Sequence, residues 1–455
     1  MERLSDKSEQ GLPLGGGPVF LYSLGSAGLN LVSVTLSTWL LYFYAPPVDS
    51  GRTTILSPGQ VGWILLAASL WNALIDPLIG HWSDNHRSGR GRRRPFIRAG
   101  IPLLFLSFCL VWIPPAPRHS VWTAVYLLVI LLVHFGAFSL IGVPYDATLA
   151  EMARSPSDRL RLSYWKNVLG IFGVAIGVLV TTPLFTGWGG AAMGLVVGAA
   201  GSMTLLASLP GIRESPLPPG DPIAIRAGMR ITWGNRPFLL FFLTTLTVYI
   251  SYQMLLAIIP YLTTVVFSRP ERDVRTILLI MIGAIILGGP SWLWAGRKVT
   301  QKALLQICLG GMTIAQVAFF LFARPAATGF LWRALFLVFP LGFFIGGFLI
   351  IAFAFLGTIV DEDFRRSGRR REAVYYGSFT LAMGLGISLG NLLLPLGFSW
   401  FGYSRSQPLG VRLGFLVMAF FSLLGFIMFS RLNAAGNTGK SAVKDPDRGI
   451  PRSVP

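Results

Sequence analysis

"NALIDPLIGHWSDNHRSGRGRRRPF" occupies residues 72–96. Its first half is apolar except for Asn72 and one carboxylate, Asp76. It then passes His81 and Asp84 into a run with five arginines, Arg87, Arg90, Arg92, Arg93 and Arg94. An oily segment that ends in dense positive charge is a helix leaving a bilayer, with the exit held on one side by its cations. Asp84 is the natural local partner of those cations.

The rest of the chain reads the same way. Of 455 residues, 53% are hydrophobic and 13% are charged, about half the charge of an ordinary soluble domain. Apolar runs of about 20 residues recur along the length and call for spanning helices. They are too long and too uniformly apolar for the alternating strands of a barrel. The expectation is an all-α membrane protein with twelve transmembrane helices, the first over 18–45, the second over 59–82, the tenth over 330–360, the eleventh over 374–400 and the last over 410–431.

The net charge of +19 is explained by topology and not by nucleic acid. With both termini on one side, 29 of the 38 Lys and Arg fall on that side and 9 on the other. The side rich in cations faces the cytoplasm, so both termini are expected there, in a cell (inner or plasma) membrane. The basic residues sit in short loops beside helix ends, with no separate basic domain. Cys109 and Cys308 both fall inside apolar helices and form no disulfide framework or redox motif. The first apolar segment is too long for a signal-peptide core and reads as the first span.

The longest polar interruption, "GIRESPLPPGDPIAIRAGMRITWGN", divides the chain. The expected organisation is a cytoplasmic segment 1–17, a six-helix half 18–210, a linker 211–235, a second six-helix half 236–431 and a disordered tail 432–455. A weak echo supports two duplicated halves. Helix two leaves through "GHWSDNHRSGRGRRRP" and helix eight through "SWLWAGRKVTQK", each with a glycine and basic residues at the exit. Duplicated halves are typical of secondary transporters, which bind near the midplane. In helix five, "GIFGVAIG" puts Gly170, Gly173 and Gly177 on one face, where small residues allow close helix contact.

Nearly all of the 19 acids lie in loops or tails. Asp76 lies deep in helix two and Asp146 in helix four, with Glu151 at the end of helix four. A charge at a helix centre costs about 3 kcal/mol on insertion scales, so it should face a cavity or a partner. Ser69, Asn72, Asp76 and Ser83 form one stripe at helical spacing. Ser26, Asn30, Ser33 and Ser37 form another, and Gly377, Thr380, Gly384, Ser388 and Asn391 a third. Three polar stripes on three helices imply a shared wet interior. Asp76, with Asn72, is the candidate cation or proton site. Its alternative is a carboxylate tied to a hydroxyl or backbone group for structure. Asp146 can instead pair with Lys166. Asn30, Tyr145, Asp146, Gln253, Thr380 and Asn391 are the candidate cavity residues. His81 and His134 are candidates for a proton relay, His81 being close enough to the helix end to lie at the interface. No metal-ligand spacing, nucleophile motif or phosphate loop is present, so no enzyme, cofactor or metal is expected.

The sequence also resembles a family. "DPLIGHWSDNHRSGRGRRRPF" is similar to the helix 2–3 signature of the glycoside–pentoside–hexuronide cation symporters. The pattern "PLxGxxSDxxxSxxGRRRPFI" of the plant sucrose carriers is matched from Pro77 to Ile97. "VPYDATLAEM" (143–152), followed by Arg159, resembles the family's helix 4–5 region, and "VDEDFRRSGRRREAVYYG" (360–377) its helix 10–11 loop. The resemblance spans about residues 18–431. It implies the major facilitator fold, alternating access, and a small solute moved with a sodium ion or a proton. In melibiose-type carriers helix one has a substrate-binding acid where this chain has Asn30, and helix two has a pair of acids where it has Asn72 and Asp76. A helix-four acid matches Gly142 and a helix-eleven lysine matches Gly384. One coupling acid is kept, and the sugar-binding charges are not.

Two functions follow. The first is a secondary transporter for a sugar-like or amphipathic solute. The alternative is a non-transporting protein of the same fold that joins a membrane complex or hands over a lipid or pigment. On the cytoplasmic side, Asp84, Arg92, Arg93 and Arg94 in one half and Asp361 and Arg370 in the other make two mixed-charge loops suited to a gate.

Overall fold

The computed structural model describes residues 15–86, 91–116, 120–153, 156–214, 234–323, 329–367 and 372–432. The expected terminal segment, linker and tail lie almost wholly outside these residues, as do Arg87, Arg90 and Arg370. Among the described residues all regular structure is helical. The helices are α1 (Gly16–Tyr44), α2 (Pro58–Asn85), α3 (Arg94–Val111) and α4 (Val121–Met152). The continuous stretch Pro156–Ser208 is two spans that meet at Gly189. They are α5 (156–188) and α6 (190–208). The second half has α7 (Arg236–Tyr261), α8 (Val274–Ala295), α9 (Gln301–Phe322), α10 (Phe330–Ser367), α11 (Glu372–Phe401) and α12 (Leu409–Ser430). Gly189 makes the reversal because its φ of 85° is a conformation that L side chains rarely adopt.

Local chemistry sets the ends. Pro58 opens α2 at its first turn. The Ser57 hydroxyl accepts from the Gln60 amide, and the Gln60 side chain accepts from the Ser57 amide, a reciprocal capping box. Several helices outrun the expected spans. α10 continues to Ser367 and α11 starts at Glu372, so Asp361 lies on a helix and not in a loop. The arginines and acids there are tolerated in a helix, and beyond the hydrocarbon nothing stops the ladder. α5 starts at Pro156, since proline is preorganised for the first turn.

The same pairings recur six helices apart. α1 packs on α5, α2 on α4, and α3 on α4; α7 packs on α11, α8 on α10, and α9 on α10. A Cβ on Gly173 of α5 would come within 2.2 Å of the Ala27 carbonyl oxygen, and one on Gly390 of α11 within 2.7 Å of that of Ile250. Both crossings need backbone against backbone. Gly170 and Gly177 meet α1 on the same face, at Ser26 and Val34. The halves join through α1 with α7, α2 with α11 and α5 with α8. The outer surface is apolar. On α2, Leu74 and Leu78 are 69% and 66% exposed, and Ser69, Asn72 and Asp76 lie on the opposite face. Water would not tolerate that arrangement over a whole surface; lipid solvates it.

Candidate functional site

A cavity of about 260 Å³ lies between the halves, lined by residues of α1, α2, α4, α5, α7, α8, α10 and α11. α1 contributes Asn30, Ser33 and Ser37, and α2 contributes Ser69 and Asn72. α4 contributes His134, α7 Tyr252 and Gln253, and α11 Gly384 and Asn391. The rest of the lining is aliphatic or Phe apart from Gly390 and Pro395, and none of the lining residues carries a carboxylate, ammonium or guanidinium.

A hydrogen-bond chain crosses the cavity floor from one half to the other. Gln253 Nε2 donates to Asn391 Oδ1 at 2.7 Å, and Asn391 Nδ2 donates to Ser69 Oγ at 3.1 Å. Ser69 donates in turn to the Leu65 carbonyl at 2.7 Å. Buried amides need such partners, so these two join α7, α11 and α2. Nearby, Ser139 of α4 donates to Asn72 Oδ1 at 2.9 Å.

The candidate residues divide in the structure. Asn30, Asn72, Gln253 and Asn391 line the cavity. Asp76 shares the face of Asn72 one turn nearer the termini, half-buried beside Ser139 and outside the lining. Pro77 follows it, and its missing N–H leaves the Ala73 carbonyl without a helical donor. Tyr145 stands outside the cavity because its side chain is taken up between α1 and α4. Its hydroxyl donates to the Tyr22 carbonyl at 2.6 Å, Tyr22 returns the bond to the Tyr145 carbonyl at 2.9 Å, and the rings stack at 4.5 Å. Asp146 is exposed and paired with Lys166 at 2.6 Å, the second of the two readings the sequence allowed. Thr380 is exposed and donates to the Gly377 carbonyl. His81 is exposed beside Asn85, whereas His134 is buried against Phe108 and Phe135, with Ser107 Oγ 3.4 Å from Nδ1.

Charge gathers at both ends of the bundle. Near the termini, Arg93 bonds Asp84 at 2.7 Å and Glu151 at 3.0 Å, and Arg92 also bonds Glu151. The backbone amides of Arg92, Arg93 and Arg94 all donate to the Glu214 carboxylate, the last two at 3.0 and 2.8 Å. Three successive amides at a helix start form an anion nest. Gly91 permits it with a φ of 102°, and a Cβ there would come within 2.9 Å of the Glu214 carboxylate. The expected gate partners are thus different here. Arg92 and Arg93 bind Glu151 of their own half, the amides of Arg92, Arg93 and Arg94 bind Glu214 just after it, and the Arg365 side chain donates to the Asp361 backbone carbonyl on α10.

At the far end the charges cross between halves. Arg52, after α1, makes a bidentate pair with Glu271, after α7, with both bonds at 2.7 Å. Tyr42 donates to the same carboxylate at 3.0 Å, and Arg52 lies 4.5 Å from the centre of the Phe185 ring. Asp49 accepts from the Arg405 amide at 2.6 Å, Tyr261 donates to the Ala45 carbonyl at 2.7 Å, and Ser399 accepts from the Gly59 amide at 2.9 Å. Sequence reasoning passed over this end. The available signal was Arg52 and Asp49, the only charges in the loop 45–57, and the mixed-charge run Arg269, Glu271, Arg272 and Asp273 in the equivalent loop of the other half. Ser139 and Glu214 gave none.

Comparison with known proteins places the fold. Residues 21–433 match the family described as MFS/sugar transport protein. The inner membrane symporter YicJ of Escherichia coli is 22% identical over 85% of this chain and 83% of its own. The mouse sphingosine-1-phosphate transporter MFSD2B is 24% identical over 83% and 80%. Among solved structures, the nucleoside transporter NupG superposes with a TM-score of 0.67 at 13% identity, covering 91% of this chain and 98% of its own. A bacterial homologue of the human lysosomal transporter Spinster, inward-facing and occupied, gives 0.62 at 14% identity, covering 91% and 95%.

Proposed function

The chain belongs to the MFS/sugar transport protein family and is a multi-pass membrane transporter, and from that premise we propose that it moves a small organic solute, sugar-like or amphipathic, by alternating access. The observation that carries this is the cavity between the halves, together with the Tyr42–Arg52–Glu271 clasp that joins the two halves at one end. Rigid halves that rock about a central site would expose it to each side in turn. The membrane is the inner or plasma membrane, with the termini in the cytoplasm, a reading supported by the excess of cations on that side. On this reading the clasp closes the outer face, as an inward-facing state of the cycle requires. When the inner end closes in its turn, Arg92–Arg94 of the first half approach Asp361 of the second and form the opposing gate.

Transport is coupled to a proton through Asp76. The relative YicJ is a symporter, which supports coupling to an ion. A sodium ion favours several oxygen ligands, and the second acid of this site is replaced by Asn72. A single carboxylate with one hydroxyl neighbour is enough to carry a proton. In proteoliposomes offered a panel of sugars, glycosides and lysolipids, uptake is expected to respond to a pH gradient and not to sodium at constant pH. Asp76→Asn is expected to abolish accumulation against a gradient and to retain solute exchange. Strict sodium dependence would refute the proton, and full accumulation by the Asn variant would remove Asp76 from the mechanism.

A further inference from the structure

The cavity lining is polar in part on α1, α2 and α4, where Asn30, Asn72 and His134 stand among apolar neighbours, and wholly apolar on α8 and α10. On the side of α1, α2 and α4, three side chains have polar atoms left over. Asn30 spends its amide on the Ser26 carbonyl at 2.8 Å, and Asn72 spends its carbonyl on Ser139. His134 has one nitrogen near Ser107. Asn30 Oδ1, Asn72 Nδ2 and His134 Nε2 have no hydrogen-bond partner among the described residues, and all three side chains line the cavity. The facing wall, on α8 and α10, presents Leu278, Met281, Ile282, Ile285 and Ile345, with no polar side chain. The Gln253–Asn391–Ser69 chain runs between the two walls and uses both amide groups of Asn391 internally.

This division has a chemical reading. A buried polar atom without a partner is unfavourable, so leftover atoms that face a cavity are suited to a ligand's hydroxyls. A cavity with no charged lining residue offers an ionised solute no compensation for leaving water. At about 260 Å³ the cavity stands near the lower end of ligand pockets, room for a compact head and one small apolar group.

We propose that the cavity takes an uncharged amphiphile, a hydroxyl-bearing head joined to a compact apolar group, and that His134 is the residue that selects the head. The head hydrogen-bonds His134, Asn72 and Asn30, and the apolar group lies on the α8–α10 wall. This rests on the transporter reading above and goes beyond it by fixing the class of solute and its orientation. Ser107, Phe108 and Phe135 hold the imidazole so that Nε2 meets the solute.

The test uses the purified full-length protein and four probes: phenyl β-D-glucopyranoside, D-glucose, benzyl alcohol and phenyl β-D-glucuronide. Ligand-induced thermal stabilisation and counterflow in proteoliposomes are both measured. The neutral glycoside is expected to bind at least tenfold tighter than either of its halves and than its charged counterpart. His134→Leu is expected to lose at least tenfold in affinity for it, while His134→Gln, which keeps a hydrogen-bonding terminus, stays within about threefold. The Leu variant is expected to keep the wild-type melting temperature without ligand, which separates loss of binding from loss of fold. Equal or tighter binding of the glucuronide, an undiminished Leu variant, or no binding of any probe would overturn the proposal. Counterflow of the glucuronide or glucose alone would overturn it and leave the transporter standing. A well-folded protein that moves none of a broad panel of solutes would remove both.

Discussion

The two ends of the bundle hold similar charged groups in different wiring. At the end near the termini, Arg92, Arg93, Asp84 and Glu151 belong to one six-helix half, and Glu214 to the start of the segment that leaves it. At the far end, Arg52 and Asp49 belong to one half and Glu271 and Arg405 to the other. A cluster within a half stabilises that half whatever the other does. A cluster between halves stabilises only the arrangement in which they meet. Charge alone therefore does not make a gate; what matters is whether its partners move relative to one another.

The largest effect that would sharpen this contrast is on stability. Glu151→Ala leaves Arg93, whose side chain is 7% exposed, without its buried acid. Breaking a buried pair costs about 3 kcal/mol, so thermal unfolding should shift down by several degrees while accessibility of the far end stays as in the native protein. If the far end opened instead, Glu151 would be the group that holds the arginines back from the inner gate. Next comes Glu271→Gln, which weakens a bidentate pair between halves. About 1.4 kcal/mol lost from one conformer changes its population about tenfold. Spin labels at Val48→Cys and Arg272→Cys should report a longer distance across the far end with little change in melting. An unchanged distance distribution would demote the clasp to a surface ion pair. The smallest effect is that of Asp49→Asn, which keeps an acceptor for the Arg405 amide at an exposed site. About twofold in the same distance measurement is the upper bound, as for other exposed pairs, and a change as large as that of Glu271→Gln would contradict the ranking.

The fold was legible because lipid imposes long apolar helices, and these dominate a one-dimensional reading. The polar stripes of α1, α2 and α11 were legible for the same reason, since a serine or asparagine every third or fourth residue stands out against leucine. Where each stripe meets the cavity was not. Asn72 and Asp76 share one face, yet only Asn72 reaches the lining, because depth along the helix is fixed by packing between halves and not by spacing. Tyr145, beside Asp146, has the sequence position of a cavity residue. Its reciprocal bond with Tyr22, 123 residues away, is a tertiary fact without a local signature. Composition alone makes the arginines after α2 a gate, but their choice of Glu151 and Glu214 over the other half depends on how α3, α4 and α6 converge.

The Gln253–Asn391–Ser69 chain has a mechanical consequence. In a seesaw the board travels far at its ends and hardly at all above the pivot. Halves that rock about the middle of the bilayer would separate by several ångströms at the Arg52–Glu271 clasp, while the three side chains at the midline slide by a fraction of that. Hydrogen bonds tolerate small displacements and are directional, so this set can remain made through the cycle and keep the two boards in register. Shortening one member, as in Asn391→Ala, would take away the pivot without touching either gate.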